Sequence, residues 1–151
     1  MKLPGLTTLA VFGVSASVHA AGPLKGLPVA QDTSNARYAA DLVSGDGPKQ
    51  TYAARVLRRR VRSAWRLAVR DGTDFRTIEA RQTLSEFDDL VAPRCIRQLS
   101  NPNVQRPCAQ ILGMLETKTA LLPLRNALSS EPSRCNERAI GLAIRRIEAA
   151  Q

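Results

Sequence analysis

"VQRPCAQILGML", residues 104 to 115, decides the fold. Cys108, Ile111, Leu112 and Leu115 recur at spacings of three and four, which places them along one side of a helix that starts near Pro102. A single helix, or a single helical hairpin, cannot hide such a stripe from water. The architecture therefore depends on whether the unit is repeated.

It is repeated once, in modified form. "LVAPRCIRQLSNPNVQRPCAQILGML" from Leu90 to Leu115 aligns with "ALLPLRNALSSEPSRCNERAIGLAIRRI" from Ala120 to Ile147. Pro93 matches Pro123 near the start of a first helix, and Pro102 matches Pro132 in the turn. Ile111, Leu112 and Leu115 match Ala143, Ile144 and Ile147 in a second helix. The offset is 30 at the two prolines and 32 at the apolar matches, so the second copy has a slightly longer turn. Ile140, Ala143, Ile144 and Ile147 then form the second copy's stripe. Similarity at a fixed period is the mark of stacked helical hairpins that bury one another's apolar faces. Small residues such as Ala109 and Gly113 let neighbouring helices approach closely. All of these residues read first as core.

The pattern resembles that of the HEAT-like repeats, whose second helix runs V-R-x-x-A-A-x-A-L-G-x-L. Val104, Ala109, Leu112, Gly113 and Leu115 fit it, and Cys108 and Ile111 stand where small alanines are expected. "LVAPRCIRQLSNPN" resembles the first helix and its turn, with Asn101 in place of aspartate. The second copy departs from the pattern, with Asn136 for the valine and Arg145 for the glycine. The resemblance spans residues 85 to 148, and its short period is that of the repeats related to bilin lyases. It implies an all-α fold, a short right-handed α-solenoid of stacked helical hairpins with five to seven helices. It does not fix a function, because the family includes scaffolds, lyases and nucleic-acid enzymes.

Upstream lies a more degenerate unit, as expected where a solenoid meets water. "TYAARVLRRRVRSAWRLAVR", residues 51 to 70, has Leu57, Val61, Ala64, Trp65 and Ala68 on one face, with Asp71 and Gly72 as a stop. In "TDFRTIEARQTLSEFDDLV", residues 73 to 91, Thr83 and Glu86 have the spacing of a capping box. Few β-branched or aromatic residues alternate with polar ones, so strands have little support.

Residues 21 to 49 have the Gly, Pro and small polar composition of a tether, in which "SNARYAADLV" predicts a short helix capped by Ser34 or Asn35 and followed by Gly45. Residues 1 to 20 read as a secretory leader: Lys2, an apolar run broken by Pro4, Gly5 and Gly13, and Val18-His19-Ala20 before Ala21. The run falls short of the ~20 apolar residues of a membrane span. The expected organisation is a leader at 1–20, a tether at 21–49 and a solenoid at 50–151, in a periplasmic or secreted protein.

Cleavage after Ala20 would leave 131 residues, enough for one domain. It would remove the chain's one histidine and leave 21 basic against 13 acidic residues, a net charge of +8. Without imidazole, Ser-His and Cys-His nucleophiles and histidine-bound metals are excluded. Asp88 and Asp89 are sequence neighbours that point apart on a helix, so they make no acid–base pair. "DLVSGDG", residues 41 to 47, lacks the alternating oxygens of a calcium loop. No catalytic residue, metal or cofactor is expected. The enzymatic alternative, a lyase-type activity or an accessory subunit of such an enzyme, rests on the repeat resemblance alone.

The strongest functional signal is charge. Arg55, Arg58, Arg59, Arg60, Arg62, Arg66 and Arg70 fall within residues 51 to 70 with no acid among them. Arg58, Arg62, Arg66 and Arg70 are four apart and form one ridge beside the apolar stripe, with Trp65 anchoring the helix. Such a ridge suits a protein or an anionic cell-envelope component, and nucleic acid if the chain is not exported. Against it stands the acidic stretch that follows, residues 71 to 90, where Asp71, Asp74, Glu79, Glu86, Asp88 and Asp89 are countered only by Arg76 and Arg81 and could neutralise part of the ridge. Export would also pair two of the three cysteines. Cys95 lies seven residues before Pro102 and Cys108 six after it, roughly opposite in a hairpin. A Cys95–Cys108 disulfide is the favoured pairing, with Cys108–Cys135 as the rival and three free thiols as the third alternative.

Overall fold

The computed structural model describes residues 35–69 and 74–151; the expected leader, the first part of the expected tether with its cap candidate Ser34, and the expected stop at Asp71 and Gly72 lie outside the described residues. Among the described residues the chain is all-helical, with six α-helices and two short 3-10 turns. They are α1 (35–41), α2 (Gly47–Ala68), α3 (Phe75–Arg97), α4 (Pro102–Leu115), α5 (Leu121–Ser129) and α6 (Arg134–Ala149). None of these helices is long and apolar enough to cross a membrane.

Each start has a local cause. Asp46 caps α2 by accepting from the Lys49 N–H at 3.2 Å, and Pro48 sits in the first turn, where a missing N–H costs nothing. Asp74 caps α3 by accepting from the Thr77 N–H at 3.1 Å. These bonds hold both carboxyls below their usual range: the Lys49 backbone bond acts first on Asp46, and the Thr77 bond on Asp74. Asn101 caps α4 through the Asn103 N–H at 3.1 Å, ahead of Pro102. The turn after α1 uses Gly45 at φ +80°, a conformation that side chains resist.

The capping box expected at Thr83 and Glu86 does not form, because α3 runs unbroken through it. Thr83 sits in mid-helix and donates its hydroxyl to the Glu79 carbonyl at 2.8 Å, the alternative open to a threonine inside a helix. Pro93, expected near a helix start, is likewise interior to α3. The lost hydrogen bond there is offset by burial on either side, where Val91, Ala92 and Cys95 are at most 2% exposed. Pro123 does lie in the first turn of α5, as its copy of the pattern predicts.

α4 is the centre of the molecule. It packs against α2 on one side and α6 on the other, while α3 covers both α2 and α4, and α5 covers α6. Val104, Cys108, Ala109, Ile111 and Leu112 are fully buried on it, and Met114 nearly so. α2 contributes Leu57 and Val61, and α6 contributes Ile140 and Ile147, to one continuous core that also takes in Ala39 from α1 and Leu42 just after it. Gly113 faces Ala143, so the close approach expected from a small residue at that position is present.

The three central helices run parallel and in register. Asn101 at the start of α4 donates to Gln50 of α2 at 3.1 Å, and Asn136 of α6 donates to Gln105 of α4 at 2.7 Å. Farther along, Arg58 of α2 donates to Gln110 of α4 at 3.0 Å. Asn136, which breaks the apolar repeat, is therefore a buried amide with a matched amide on the next helix. Arg145, which replaces the repeat's glycine, is exposed on a helix whose neighbours are α4 and α5. Among the described residues no further helix packs closely there, so no small residue is required.

Candidate binding site

The parallel row of α2, α4 and α6 leaves a face on which equivalent turns of the three helices meet. Near their C-terminal halves is a hollow of about 360 Å³. Arg58, Arg62 and Arg66 line it from α2, and Arg146 from α6. Its apolar wall is made by Trp65, Met114 and Leu142. Near the N-terminal halves a second hollow of about 360 Å³ carries Arg55, Arg106 and the polar Asn103. Arg58 lines both hollows and joins them. Among the described residues no acidic side chain lines either one.

The helix spacing explains which arginines arrive here. Arg55, Arg58, Arg62 and Arg66 follow steps of three and four, one face of α2 adjacent to the buried stripe of Leu57, Val61 and Ala64. Arg60 falls on another side. Its guanidinium lies 5.1 Å from the Tyr38 ring centroid and donates to the Asn35 side chain, tying α1 to α2. Arg59 lines neither hollow. Arg70 lies outside the described residues.

Within the first hollow, Arg58 is held by its bond to Gln110, and its Nε is buried with no hydrogen-bond partner. Arg146 is placed over the Trp65 ring, 4.9 Å from the centroid. The acids of α3 do not neutralise this face. The ion pairs among the described residues are Lys49–Asp46 at 3.2 Å and Arg125–Glu148 at 2.7 Å, and neither reaches the hollows. Asp88 instead accepts from the Thr117 hydroxyl. Four like charges around one hollow repel each other, and an anion that enters relieves the repulsion.

Arg106, Arg146, Met114 and Leu142 are absent from the ridge read along residues 51 to 70. A signal for part of this was present. The 32-residue offset of the repeat maps Gln110 onto Leu142 and Met114 onto Arg146, so the non-α2 wall of the first hollow is built from equivalent positions of neighbouring units.

The cysteines occupy two environments. Cys95 and Cys108 are free thiols, fully buried side by side between α3 and α4, as the hairpin spacing places them. Burial, followed by the hydrogen bond and proximity of Cys108, pushes the Cys95 thiol well above its usual range. Cys135 is exposed, at the wall of the second hollow. Among the described residues no three His, Cys, Asp or Glu side chains cluster as a metal site would need. No family model matches the chain, and no curated protein or solved structure is significantly similar to it.

Proposed function

We propose that this chain is an exported, non-catalytic binding module, a short HEAT-like α-solenoid that holds an anionic partner, protein or cell-envelope component, on the face of α2, α4 and α6. The parallel, in-register row is the arrangement that the second helices of such a stack would adopt. The observation that carries the reading is the hollow bounded by Arg58, Arg62, Arg66 and Arg146, with no acid in its lining among the described residues. Arginine suits the task, because its planar fork binds carboxylate or phosphate oxygens in pairs. The leader at residues 1–20 would carry the protein to the compartment where such partners are met.

Trp65 is the chain's one tryptophan, so its emission reads the hollow directly. Poly-glutamate and polyphosphate titrated at low salt should change that emission, with the effect weakening as salt rises. The Arg58→Glu, Arg62→Glu, Arg66→Glu triple variant should lose the response. If neither polyanion binds at low salt, the reading fails. Intact mass from the native host tests export separately, with a chain beginning at Ala21 as the expected product.

A further inference from the structure

The lining of the two hollows is more selective than a basic patch. From the anion-binding reading above, on which this rests, we infer that the occupant is a linear acidic peptide segment with one large apolar side chain. The apolar group seats against Leu142 and the edge of Trp65, whose face the Arg146 guanidinium covers, over the buried Met114. Carboxylates on one flank meet Arg62, Arg66 and Arg146, and those on the other meet Arg55 and Arg106.

The dimensions suit a short extended segment. Arg55 and Arg66 are eleven residues apart on α2, a span of ~16 Å at the helical rise. An extended chain covers that distance in about five residues. Each hollow, at about 360 Å³, admits a side chain or two at either end of that path.

The chemistry of the wall separates a peptide from other polyanions. Leu142 is 42% exposed at the rim of an arginine-lined hollow, an apolar surface that a phosphate polymer covers without gain. Proteins hold single-stranded nucleic acid by stacking its bases on exposed aromatic faces. Here the Trp65 face already carries the Arg146 guanidinium, and Tyr52, 61% exposed, packs toward Tyr38 outside both hollows. A lipid headgroup satisfies the arginines, but an acyl chain outruns an apolar wall of three side chains. A carboxylate segment with a single apolar anchor uses both halves of the lining, the usual division between orientation by polar groups and affinity from an apolar pocket.

The test is calorimetric titration of the full chain at low salt with a nine-residue peptide of glutamates around a central leucine. A glycine-centred version, sodium polyphosphate, oligothymidylate and anionic vesicles serve as the other probes. The leucine peptide should bind at least ten-fold tighter than the glycine peptide. Leu142→Ala, a change at a half-exposed position that leaves the core intact, should erase that preference. Arg62→Glu with Arg66→Glu should weaken both peptides ten-fold or more. Equal affinity for the two peptides in the parent protein would overturn the inference and leave the anion-binding reading standing. Tighter binding of polyphosphate, oligothymidylate or vesicles than of the leucine peptide would overturn it in favour of that class. Failure of every probe would remove both readings together.

Discussion

Gly113 and Ala143 meet where α4 packs on α6: a Cβ built on the glycine would stand 2.7 Å from the Ala143 Cα and 2.9 Å from its Cβ. The nearest obstacle is backbone, so neither helix can yield by a rotamer change. Gly113→Ala is expected to destabilise the protein by about 1–3 kcal/mol, the usual cost of overpacking, despite the better helix propensity of alanine. Gly141 provides the control, because a Cβ there meets only the tip of the Arg145 side chain at 3.8 Å. Gly141→Ala should stabilise by about 0.5–1 kcal/mol. Urea unfolding of the two variants checks both signs, and equal effects would mean that helix packing at Gly113 is looser than the geometry requires.

The Arg146–Trp65 stack links α6 to α2 across the edge of α4, and it gives one residue two roles. Removing the guanidinium in Arg146→Ala should cost about 0.5–1 kcal/mol, the range for a partly exposed cation–π pair. It should also shift the emission of the sole tryptophan in the unliganded protein. Thermal unfolding followed at Trp65 reads both effects, and an unchanged spectrum would show that the ring does not hold this partner in solution.

How much of this was legible in the sequence divides along physical lines. The stripes through Leu112 and Ile144 identify helices that must be covered, because periodicity and burial are one property seen twice. The extent of α3 was not legible. Thr83 and Glu86 mimic a helix start locally, and only the burial of Ala80 and Phe87 on one continuous face shows that the helix runs through. The arginines of α2 were legible as a ridge, but their surroundings were not. Nothing within residues 51 to 70 says that Arg60 turns to Tyr38 while Arg62 shares a hollow with Arg146, since those relations depend on which helices lie beside α2. The repeat offset carries part of that information, because it equates Met114 with Arg146 before either is known to line a hollow.

The buried amides at the start of the central helices make a sharper case for register. Asn136 is 7% exposed and Gln105 is 5% exposed, and Gln105 also donates to the Leu99 carbonyl at 2.7 Å. Asn136→Ala removes the donor to Gln105 Oε1 and leaves a buried acceptor unpaired, at a cost of about 1–3 kcal/mol. Replacing both partners with apolar residues, Asn136→Val with Gln105→Leu, should recover only part of that loss, because the Leu99 carbonyl then loses its Gln105 donor; valine is what the repeat pattern places at residue 136. A double-mutant cycle by chemical denaturation measures the coupling. Simple additivity of the two losses would mean that the bond contributes nothing specific to α4–α6 register.

The paired thiols predict the response to alkali. An unfolded cysteine ionises near pH 8.5. In the fold, Cys95 ionises well above 9.0, because burial penalises the thiolate and Cys108 hydrogen-bonds the thiol and opposes its charge. The folded chain therefore holds its proton where the unfolded chain gives it up, and stability is whole below about pH 8.5. Above that it declines, by at most about 1.4 kcal/mol per pH unit for this one proton, until the folded thiol also ionises. The urea midpoint of the reduced protein should fall between pH 8 and pH 10 more steeply than that of Cys95→Ala, which starts lower but lacks this group. An exported chain adds an internal comparison. If Cys95 and Cys108 are oxidised to a disulfide, neither can ionise, two thiols resist alkylation, and this part of the alkaline decline disappears until a reductant is added. A steep decline in unreduced protein from the native host would therefore argue against the bridge, and its appearance only after reduction would argue for it.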